Sequence, residues 1–385
     1  MKILYYSTAY YATHGGSTHS RHFVSAARKH PEVTSIDVFP GKASGGAGTG
    51  NNSGGLRSML RSSSLLQIFF FYRRNTFYLQ QLFRKIGTFR PDVLLVRIDS
   101  NFLQLQKVRD RFPELIISTE INASPFEESF RNIAFRKVFQ RIERKHLTRC
   151  DLNFFVSRAL RDSIMVDVMN PERDKVVQNG VDITVFKPLD NRNILRQKFG
   201  YADTHTLAGY LGTLDYHKAV DKLLQAMLIL KQKHSSLRLI IVGDGPSKGE
   251  LQKLSEDLAL KDVVLFAGAC AHSEVPQYLN TFDIAIHHKA GDYMSPIKLF
   301  EYLACELPVI APDTPAVREV FENGEDVLLT NGEPGDIAEK VAHLLRDKEL
   351  RARLASSGKA KVVRGYTWQA NADRIILEFF KKLRR

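Results

Sequence analysis

The sequence predicts an α/β protein of two domains, each built on a parallel sheet with helices on both faces. At 385 residues, the chain exceeds the roughly 250–300 residues at which a single hydrophobic core stops growing. Short apolar segments alternate with helix-length sequence along the chain, a pattern typical of parallel strands connected by helices. The alternation starts afresh near Lys187-Pro188, so a domain boundary is expected there.

The first domain is predicted over residues 1–187. Its strands are expected in KILYYS, SIDVFP, DVLLVR, LIISTE, LNFFVS and KVVQNG, and a loop with Gly15 and Gly16 follows the first of them. The stretch 41–55 is rich in Gly, Ser and Asn and cannot bury enough surface to order itself. A mobile loop is therefore predicted over 41–55.

The second domain is predicted over residues 188–365. Its strands are expected in LAGYLGT, LRLIIVGDG, DVVLFAG, DIAIHH and LPVIAP. The tail, residues 366–385, is predicted to be a helix with a basic end. Each domain thus repeats the same alternation of strand and helix, which favours two similar parallel sheets.

Composition narrows the class of protein. Hydrophobic residues make up 44% and charged residues 25% of the chain, which is ordinary for a soluble globular protein. The N-terminus lacks an apolar signal region and no run of about 18 apolar residues occurs, so a cytoplasmic protein is expected. Cys150, Cys270 and Cys305 lie far apart without the spacing of a zinc site or a redox pair, which favours reduced thiols.

Nearly all of the net charge of +13 lies before Asp182. Such asymmetry indicates an anionic partner. The basic, aromatic-rich segments Arg57–Arg74 and Phe130–Arg149 are expected to dock on the anionic inner face of a membrane, where each Lys or Arg contributes about 1 kcal/mol. A core helix with a solvated basic face is the alternative for Arg57–Arg74. Nucleic acid is not expected as a partner, because no RNP, zinc-finger or helix-turn-helix pattern is present.

Loops that follow strands carry the candidate site residues, because ligands of open α/β sheets bind beyond the carboxyl ends of the strands. Glycines in such loops let backbone N–H groups approach a phosphate closely, and a lysine at a helix start adds a cation that suits a diphosphate. Plain turns and a solvated lysine are the alternative interpretation. The residues are Gly15, Gly16, Gly212, Lys218, Gly243 and Gly245.

The segment from His287 to Pro312 is the richest in such features, since a strand end, a proline-containing loop and a helix follow one another. A helix N-terminus exposes unpaired N–H groups to an anion. Lys298 adds positive charge there, and Glu301, one turn into the helix, can accept hydrogen bonds from ribose hydroxyls. Glu301 can instead serve only as a residue favourable to the helix dipole.

Several segments, in their order and spacing, resemble glycosyltransferase family 4, which has the GT-B fold. They are QNGVDITVFKP, GYLGTLDYHKAVDKLLQAM, IIVGDGP, VLFAGAC, SPIKLFEYLACELPVIAP and the closing YTW. The resemblance covers the chain from about Cys150 to the C-terminus, and the first half only loosely. It implies two Rossmann-like domains, a donor site in the interdomain cleft and a C-terminal helix that crosses back to the first domain.

The resemblance implies a retaining transfer of a sugar from a UDP- or GDP-linked donor to a hydroxyl of a glycan or lipid-linked acceptor, in cell-surface polysaccharide or lipopolysaccharide synthesis. It implies no cofactor and no metal, which agrees with the absence of a DxD pair from the sequence. Lys218 and Lys298 would stabilise the leaving diphosphate. The other residues implied in donor binding are Gly15, Gly16, Gly212, Thr213, Gly243, Gly245, Ala269, Cys270, Asp292, Tyr293, Ser295, Pro296, Ile297, Leu299 and Glu301.

Two departures from the family pattern concern the donor. Thr213 stands where the family commonly has an arginine, so Lys218 must act with another cation such as Lys298. Tyr293 stands where the first of two paired glutamates is usual, with Asp292 beside it. The carboxylate that would contact the donor sugar is therefore displaced or lost, which leaves the sugar open.

A third departure concerns the acceptor. Many members have a histidine at the end of the strand LIISTE, where this chain has Glu120 followed by INAS. Glu120 and Asn122 are expected to contact the acceptor, with Glu120 orienting or deprotonating its hydroxyl. Two further hypotheses remain open, a GT-B sugar-nucleotide epimerase that needs no acceptor and a catalytically weakened scaffold.

Overall fold

The computed structural model describes residues 1–11, 15–41, 64–98, 105–124, 135–201 and 204–384. The chain forms two compact units, one of Met1–Gln178 with Trp368–Arg385 and the other of Asn179–Thr367. Apart from Gly41, the predicted mobile loop 41–55 lies outside the described residues. Its mobility stays a prediction.

In the part that the structure describes, the first unit is built on six parallel strands. They are β1 (Lys2–Tyr6), β2 (Ser35–Phe39), β3 (Val93–Ile98), β4 (Ile116–Ile121), β5 (Leu152–Phe155) and β6 (Asp174–Val176). Their order in the sheet is β2-β1-β3-β4-β5-β6. The central strands β3 and β5 are buried along their whole length, as expected for parallel strands that helices cover on both faces.

Helices connect these strands and cover the sheet. They are α1 (Gly15–Lys29), α2 (Ser64–Phe89), α3 (Leu105–Arg111), α4 (Arg136–Leu147) and α5 (Arg158–Ile164). Phe23 of α1 packs its ring against Tyr5 of β1, with ring centroids 5.4 Å apart. Both side chains are fully buried, so α1 is anchored directly over the first strand.

Over residues 179–201 and 204–367, the second unit contains another sheet of six parallel strands. They are β7 (Thr206–Leu211), β8 (Leu237–Val242), β9 (Val264–Gly268), β10 (Ile284–Ile286), β11 (Val309–Pro312) and β12 (Leu328–Thr330). Their order in the sheet is β12-β11-β10-β7-β8-β9. Strand β7 therefore lies between β8 and β10, and the loops that follow these three strands are neighbours.

The helices of the second unit lie on both faces of its sheet. They are α6 (Arg192–Lys198), α7 (Val220–Lys231), α8 (Lys248–Asp257), α9 (Val275–Leu279), α10 (Ile297–Ala304), α11 (Pro315–Arg318), α12 (Pro334–Arg346) and α13 (Lys348–Gly365). Leu207 and Leu211 of β7 pack into one hydrophobic cluster, whereas Ala208 and Tyr210 pack into the other. This alternation follows from the two-residue period of a strand.

The second unit begins at Asn179, before the Lys187-Pro188 boundary expected from the sequence. Val181 explains the difference, because its N–H donates to the Tyr366 carbonyl oxygen at 3.0 Å and it forms a bridge with Thr367. These contacts hold the segment before Pro188 in the second unit, although its sequence continues the pattern of the first.

The last helix, α14 (Trp368–Leu383), belongs to the first unit. Trp368 lies against α1, with its ring centroid 4.9 Å from that of His19 and 5.5 Å from that of His22. Near the other end of the helix, Glu378 forms an ion pair with Lys175 at 3.6 Å. The chain therefore returns to its first sheet after completing the second.

Candidate functional site

The carboxyl edge of the second sheet brings together loops that are far apart in sequence. Gly212 follows β7, Gly243 follows β8, Ala269 follows β9 and His287 follows β10. Because all of these strands are parallel, the four residues emerge at the same edge. This is the edge at which ligands bind in open α/β sheets.

The glycines at this edge are required by close backbone packing. Gly243 has φ +148°, and a Cβ there would lie 1.8 Å from the Gly212 carbonyl oxygen. A Cβ on Gly245 would lie 2.6 Å from the Leu214 carbonyl oxygen. The loops after β7 and β8 therefore pack directly against each other. This packing accounts for both glycines, and their contact with a diphosphate stays a prediction.

Lys218 is held at this edge by a turn that a buried histidine supports. It ends a short 3-10 helix (Tyr216–Lys218), and the next residue, Ala219, has φ 50°. The Ala219 carbonyl oxygen accepts a hydrogen bond from His288 Nε2 at 2.8 Å, and His288 is only 1% exposed. His288 thus positions the turn that carries Lys218. The paired histidines at the end of DIAIHH are the sequence signal for this role, which sequence reasoning missed.

The ammonium group of Lys218 differs from its neighbours in having no partner. Lys218 is half-buried, and among the residues that the structure describes its side chain forms no hydrogen bond or ion pair. Lys222, four residues further on, pairs with Glu333. A half-buried, unpaired ammonium carries an uncompensated charge, which an anionic ligand could neutralise.

The N-terminus of α10 lies at the same edge. Pro296 precedes this helix and its side chain supplies no capping hydrogen bond, so the N–H groups of Ile297 and Lys298 lack intrahelical acceptors. The N–H of Leu299 donates to the Pro296 carbonyl oxygen at 3.1 Å, and the Leu299 side chain is fully buried. The N–H of Leu299 is thus engaged within the first helical turn and its side chain in the core, and a role for Leu299 in donor binding stays a prediction.

The loop that leads into α10 has a buried, hydrogen-bonded part and a solvent-exposed part. The Asn179 side-chain amide donates to the Ser295 carbonyl oxygen at 2.7 Å, and Ser295 is 9% exposed. Asp292 is exposed, with its carbonyl oxygen accepting from the Ala316 N–H at 3.1 Å, and Tyr293 is half-buried. The Asp292 carboxylate thus faces solvent. It lies beside Tyr293, at which the sequence departs from the pattern of family 4.

Lys298 and Glu301, predicted to act separately, form one pair. Lys298 Nζ lies 2.7 Å from Glu301 Oε2, and the Glu301 side chain is 2% exposed against 28% for Lys298. The carboxylate therefore offsets part of the Lys298 charge, which leaves Lys218 as the stronger anion-binding group. Burial raises the pKa of the Cys270 thiol, and Lys298 acts on it in the opposite direction. Cys270, after β9, packs against the hydrophobic cluster that contains Leu299 of α10, so the end of β9 lies near this helix.

The remaining predicted donor residues are Gly15, Gly16 and Thr213. Gly15 and Gly16 open helix α1, and residues 12–14 before them lie outside the described part of the chain. Thr213 is exposed, and its carbonyl oxygen accepts from the Tyr210 hydroxyl at 3.3 Å. Across the residues with described positions, no three His, Cys, Asp or Glu side chains are grouped as a metal site requires.

Glu120 lies in β4 at the centre of a buried network in the first unit. Its side chain is 3% exposed. Glu120 Oε2 accepts from the Tyr5 hydroxyl at 2.7 Å and lies 3.9 Å from Arg97 Nη1, while Oε1 lies 2.6 Å from His19 Nε2. Burial and these partners engage both oxygens in this structure, and the contact of Glu120 with an acceptor hydroxyl stays a prediction.

Asn122 connects this network to the surface. Its amide oxygen accepts from His19 Nδ1 at 3.0 Å and from both terminal nitrogens of Arg97 at 2.7 Å. His19 Nδ1 therefore carries a proton, and the contact between Nε2 and Glu120 holds one further proton. Asn122 is half-buried, and its NH₂ group points away from these donors. His19 thus contacts the buried Glu120 side chain through Nε2 and the half-buried Asn122 amide through Nδ1.

The pKa values of this network favour uncharged forms. Burial raises the pKa of Glu120, against the opposing effects of Arg97 and of the Tyr5 hydrogen bond. Burial also lowers the pKa of His19 well below its ordinary value, and the charges of Arg97 and His22 lower it further. The proton shared by His19 and Glu120 is therefore placed on the carboxyl group, with a neutral imidazole beside it.

Helix α4 presents a basic stripe at the surface of the first unit. Lys137, Arg141 and Lys145 are exposed at four-residue intervals, so they share one face of the helix. Phe135 is 71% and Val138 is 47% exposed at the start of the helix. Of the predicted basic segments, residues 57–63 and 130–134 lie outside the described part. In the described residues, no helix is long and apolar enough to cross a bilayer.

The two six-stranded parallel units define a GT-B fold, as predicted from the sequence. Anabaena HepE, solved in complex with UDP, has a TM-score of 0.74 at 18% identity, over 99% of this chain and 100% of that chain. Sucrose-phosphate synthase from Thermosynechococcus elongatus has a TM-score of 0.76 at 15% identity, over 100% and 99% of the two chains. At these identities the likeness establishes the fold.

Residues 191–361 match the family model for glycosyl transferases group 1, so the second unit carries a domain of this family. D-inositol 3-phosphate glycosyltransferase from Thermomonospora curvata is 27% identical over 222 residues, which are 54% of this chain and 51% of the relative. The chain spans about half the length of the curated relatives it matches. The predicted resemblance to glycosyltransferases of GT-B fold is confirmed for the fold and for residues 191–361.

Proposed function

We propose that the protein is a glycosyltransferase that uses a UDP- or GDP-linked sugar as donor. The observation that carries the proposal is the unpaired ammonium of Lys218 at the sheet edge where α10 begins. A cation and a helix N-terminus together favour a diphosphate. The match of residues 191–361 to glycosyl transferases group 1 supports the same ligand class.

The proposed reaction follows from where charge develops. The bond between the sugar C1 and the phosphate oxygen breaks, and the diphosphate leaves with the electron pair. The acceptor hydroxyl oxygen then bonds to C1, and its proton passes to the oxygen of the leaving diphosphate. Lys218 and the first N–H groups of α10 would stabilise the leaving diphosphate. A retaining outcome and a reaction without a bound metal are proposed from the resemblance to family 4.

The acceptor is proposed to be a glycan or a lipid-linked glycan in cell-surface polysaccharide or lipopolysaccharide synthesis. Asn122 is the member of the first unit's buried network that reaches the surface, so its NH₂ group is proposed to hold an acceptor hydroxyl. Glu120, His19 and Arg97 would act as positioning residues that fix this amide. The basic first half of the chain favours an acceptor presented at an anionic surface.

Ligand screening tests the proposed function directly. UDP-, GDP- and other nucleotide sugars are added to the full chain, and the shift in thermal unfolding identifies the donor, because a ligand that binds the folded state stabilises it. Product analysis without an acceptor then separates the alternatives. Free sugar and nucleotide indicate slow hydrolysis by a transferase, whereas an isomerised sugar nucleotide indicates an epimerase. Absence of both binding and turnover would favour the scaffold.

Glu301→Gln separates a contact with ribose from a structural role. If the carboxylate accepts from ribose hydroxyls, the variant should bind UDP or GDP about tenfold more weakly, since a hydrogen bond to a charged group contributes about 1.5–3 kcal/mol. Inorganic pyrophosphate has no ribose, and its affinity should not fall, because Lys298 loses the carboxylate that offsets its charge. Isothermal calorimetry measures both ligands. Equal affinity of variant and wild type for the nucleotide would show that Glu301 has only a structural role.

We also propose that the basic stripe of α4, made of Lys137, Arg141 and Lys145, docks on an anionic membrane surface. Phe135 and Val138 lie exposed beside it. Side chains of this kind enter the boundary between lipid headgroups and acyl chains when basic residues bring the helix to the surface. Docking would place the enzyme at the leaflet where a lipid-linked acceptor lies.

Charge removal from α4 should weaken membrane binding. The double variant Lys137→Ala and Arg141→Ala should bind vesicles of anionic lipid about 30-fold more weakly, at about 1 kcal/mol for each charge. The control removes two exposed charges from the second unit, Lys253→Ala with Lys261→Ala, and should bind as the wild type does. Vesicle sedimentation at low and high salt measures the difference. Equal binding of the wild type to neutral vesicles would refute an electrostatic docking surface.

A further inference from the structure

His287 occupies a distinctive position at the donor edge of the second sheet. It directly follows β10, and its N–H donates to the Ile310 carbonyl oxygen at 2.9 Å. The residue is 7% exposed, and its Nδ1 atom is buried without a hydrogen-bond partner among the residues that the structure describes. A buried polar atom without a partner is uncommon in proteins and calls for an explanation.

The imidazole of His287 is under the influence of both candidate cations. Burial, together with the charges of Lys218, His288 and Lys298, lowers the pKa of His287 to about 3. The side chain is therefore neutral at physiological pH, and a neutral imidazole carries one N–H. Strand β10 pairs with β7, and His288 donates to the carbonyl oxygen of Ala219, the residue after Lys218, so His287 emerges beside the turn that carries Lys218.

The environment decides which nitrogen carries the proton. A buried N–H without an acceptor is rarer than a buried acceptor without a donor. The proton is therefore assigned to Nε2, which is not among the buried atoms that lack a partner. His287 thus offers an uncharged hydrogen-bond donor at the sheet edge that carries Lys218, and it keeps this form across the pH range in which most enzymes work.

We propose that His287 is a further donor-binding residue, whose Nε2–H group hydrogen-bonds an oxygen of the nucleotide-sugar diphosphate. The inference rests on the proposed function and adds to it a group that no resemblance assigns. A neutral hydrogen-bond donor suits this position. A third positive charge beside Lys218 and Lys298 would destabilise the folded protein by charge repulsion when no ligand is bound. It also replaces one of the diphosphate contacts that are lost because the chain has Thr213 where the family commonly has an arginine.

The test exploits the different reach of three side chains at position 287. Glutamine can place an N–H near the position of Nε2, asparagine only near Nδ1, and leucine fills similar space with no polar atom. His287→Leu and His287→Asn should bind UDP or GDP about 10- to 100-fold more weakly, since a hydrogen bond to a charged group contributes about 1.5–3 kcal/mol. His287→Gln should stay within about threefold of the wild type. Inorganic pyrophosphate should follow the same order in calorimetry.

The control is His343→Gln, which changes an exposed histidine of α12 and should leave binding unchanged. Unaltered affinity of the leucine variant would overturn the inference while the proposed function stands. A wild type that binds neither UDP nor GDP would overturn both. Should the variants unfold, nitrogen-15 NMR of the wild-type histidines decides independently. A neutral Nε2–H form of His287 that shifts when UDP or GDP is added supports the inference, and a charged or Nδ1–H form overturns it.

Discussion

Replacement of Lys218 by alanine is expected to lower kcat/KM about 10²–10³-fold while the fold remains intact. Loss of one preorganised group that stabilises developing negative charge typically costs this much. The effect should be large here because Lys298 is partly neutralised by Glu301, whereas Lys218 has no partner among the described residues. Initial rates with the donor identified by ligand screening measure it.

Two further variants isolate the charge of Lys218. Lys218→Arg keeps the positive charge and should recover part of the lost activity. Lys222→Ala removes a lysine of α7 that already pairs with Glu333, and should leave kcat/KM close to that of the wild type. Near-normal turnover of Lys218→Ala would show that the diphosphate is stabilised elsewhere.

Removal of the buried carboxyl group by Glu120→Ala is expected to destabilise the first unit by about 2–6 kcal/mol, because two buried groups each lose a hydrogen-bond partner at about 1–3 kcal/mol. The variant leaves the Tyr5 hydroxyl and His19 Nε2 without their partner. The chain has one tryptophan, Trp368, which lies against His19 and His22. Its fluorescence during denaturant unfolding therefore reports on this unit.

The isosteric variant Glu120→Gln locates the shared proton. A glutamine amide can donate to His19 Nε2 and accept from Tyr5, as the protonated carboxyl does, so most of the stability should be retained. A loss as large as that of Glu120→Ala would instead indicate a charged pair of imidazolium and carboxylate. Glu114→Ala, at an exposed position before β4, should change the free energy of unfolding by less than about 0.5 kcal/mol.

The placement of the candidate donor residues at one sheet edge was largely predictable from the sequence. Lys218 and the segment from Ser295 to Glu301 lie in the connections that follow β7 and β10, and the alternation of strand and helix is visible in the residue pattern. The topology of a parallel sheet then places such loops at one edge. Pairing of Lys298 with Glu301 also follows from their spacing of three residues on a helix, although the sequence does not show that the pair is buried.

The network around Glu120 was not predictable in the same way. Glu120 was expected to contact an acceptor because it stands where many members of family 4 have a histidine, but its partners come from distant positions, with Tyr5 and His19 separated from it by 115 and 101 residues. No local pattern reveals such contacts. The roles of His287 and His288 were missed for a related reason, since only the packed loops show which nitrogen is enclosed and which is bonded to Ala219.

The sequence by itself determined the two parallel-sheet domains, the GT-B class and the loops that carry the candidate donor site. These depend on strand and helix periodicity and on the spacing of glycines, prolines and lysines, all of which are local. The tertiary structure alone decided which charges are neutralised, which polar atoms are buried and where the second unit begins. Those properties depend on solvent exclusion and on contacts between residues distant in sequence, so they arise only when the chain has packed.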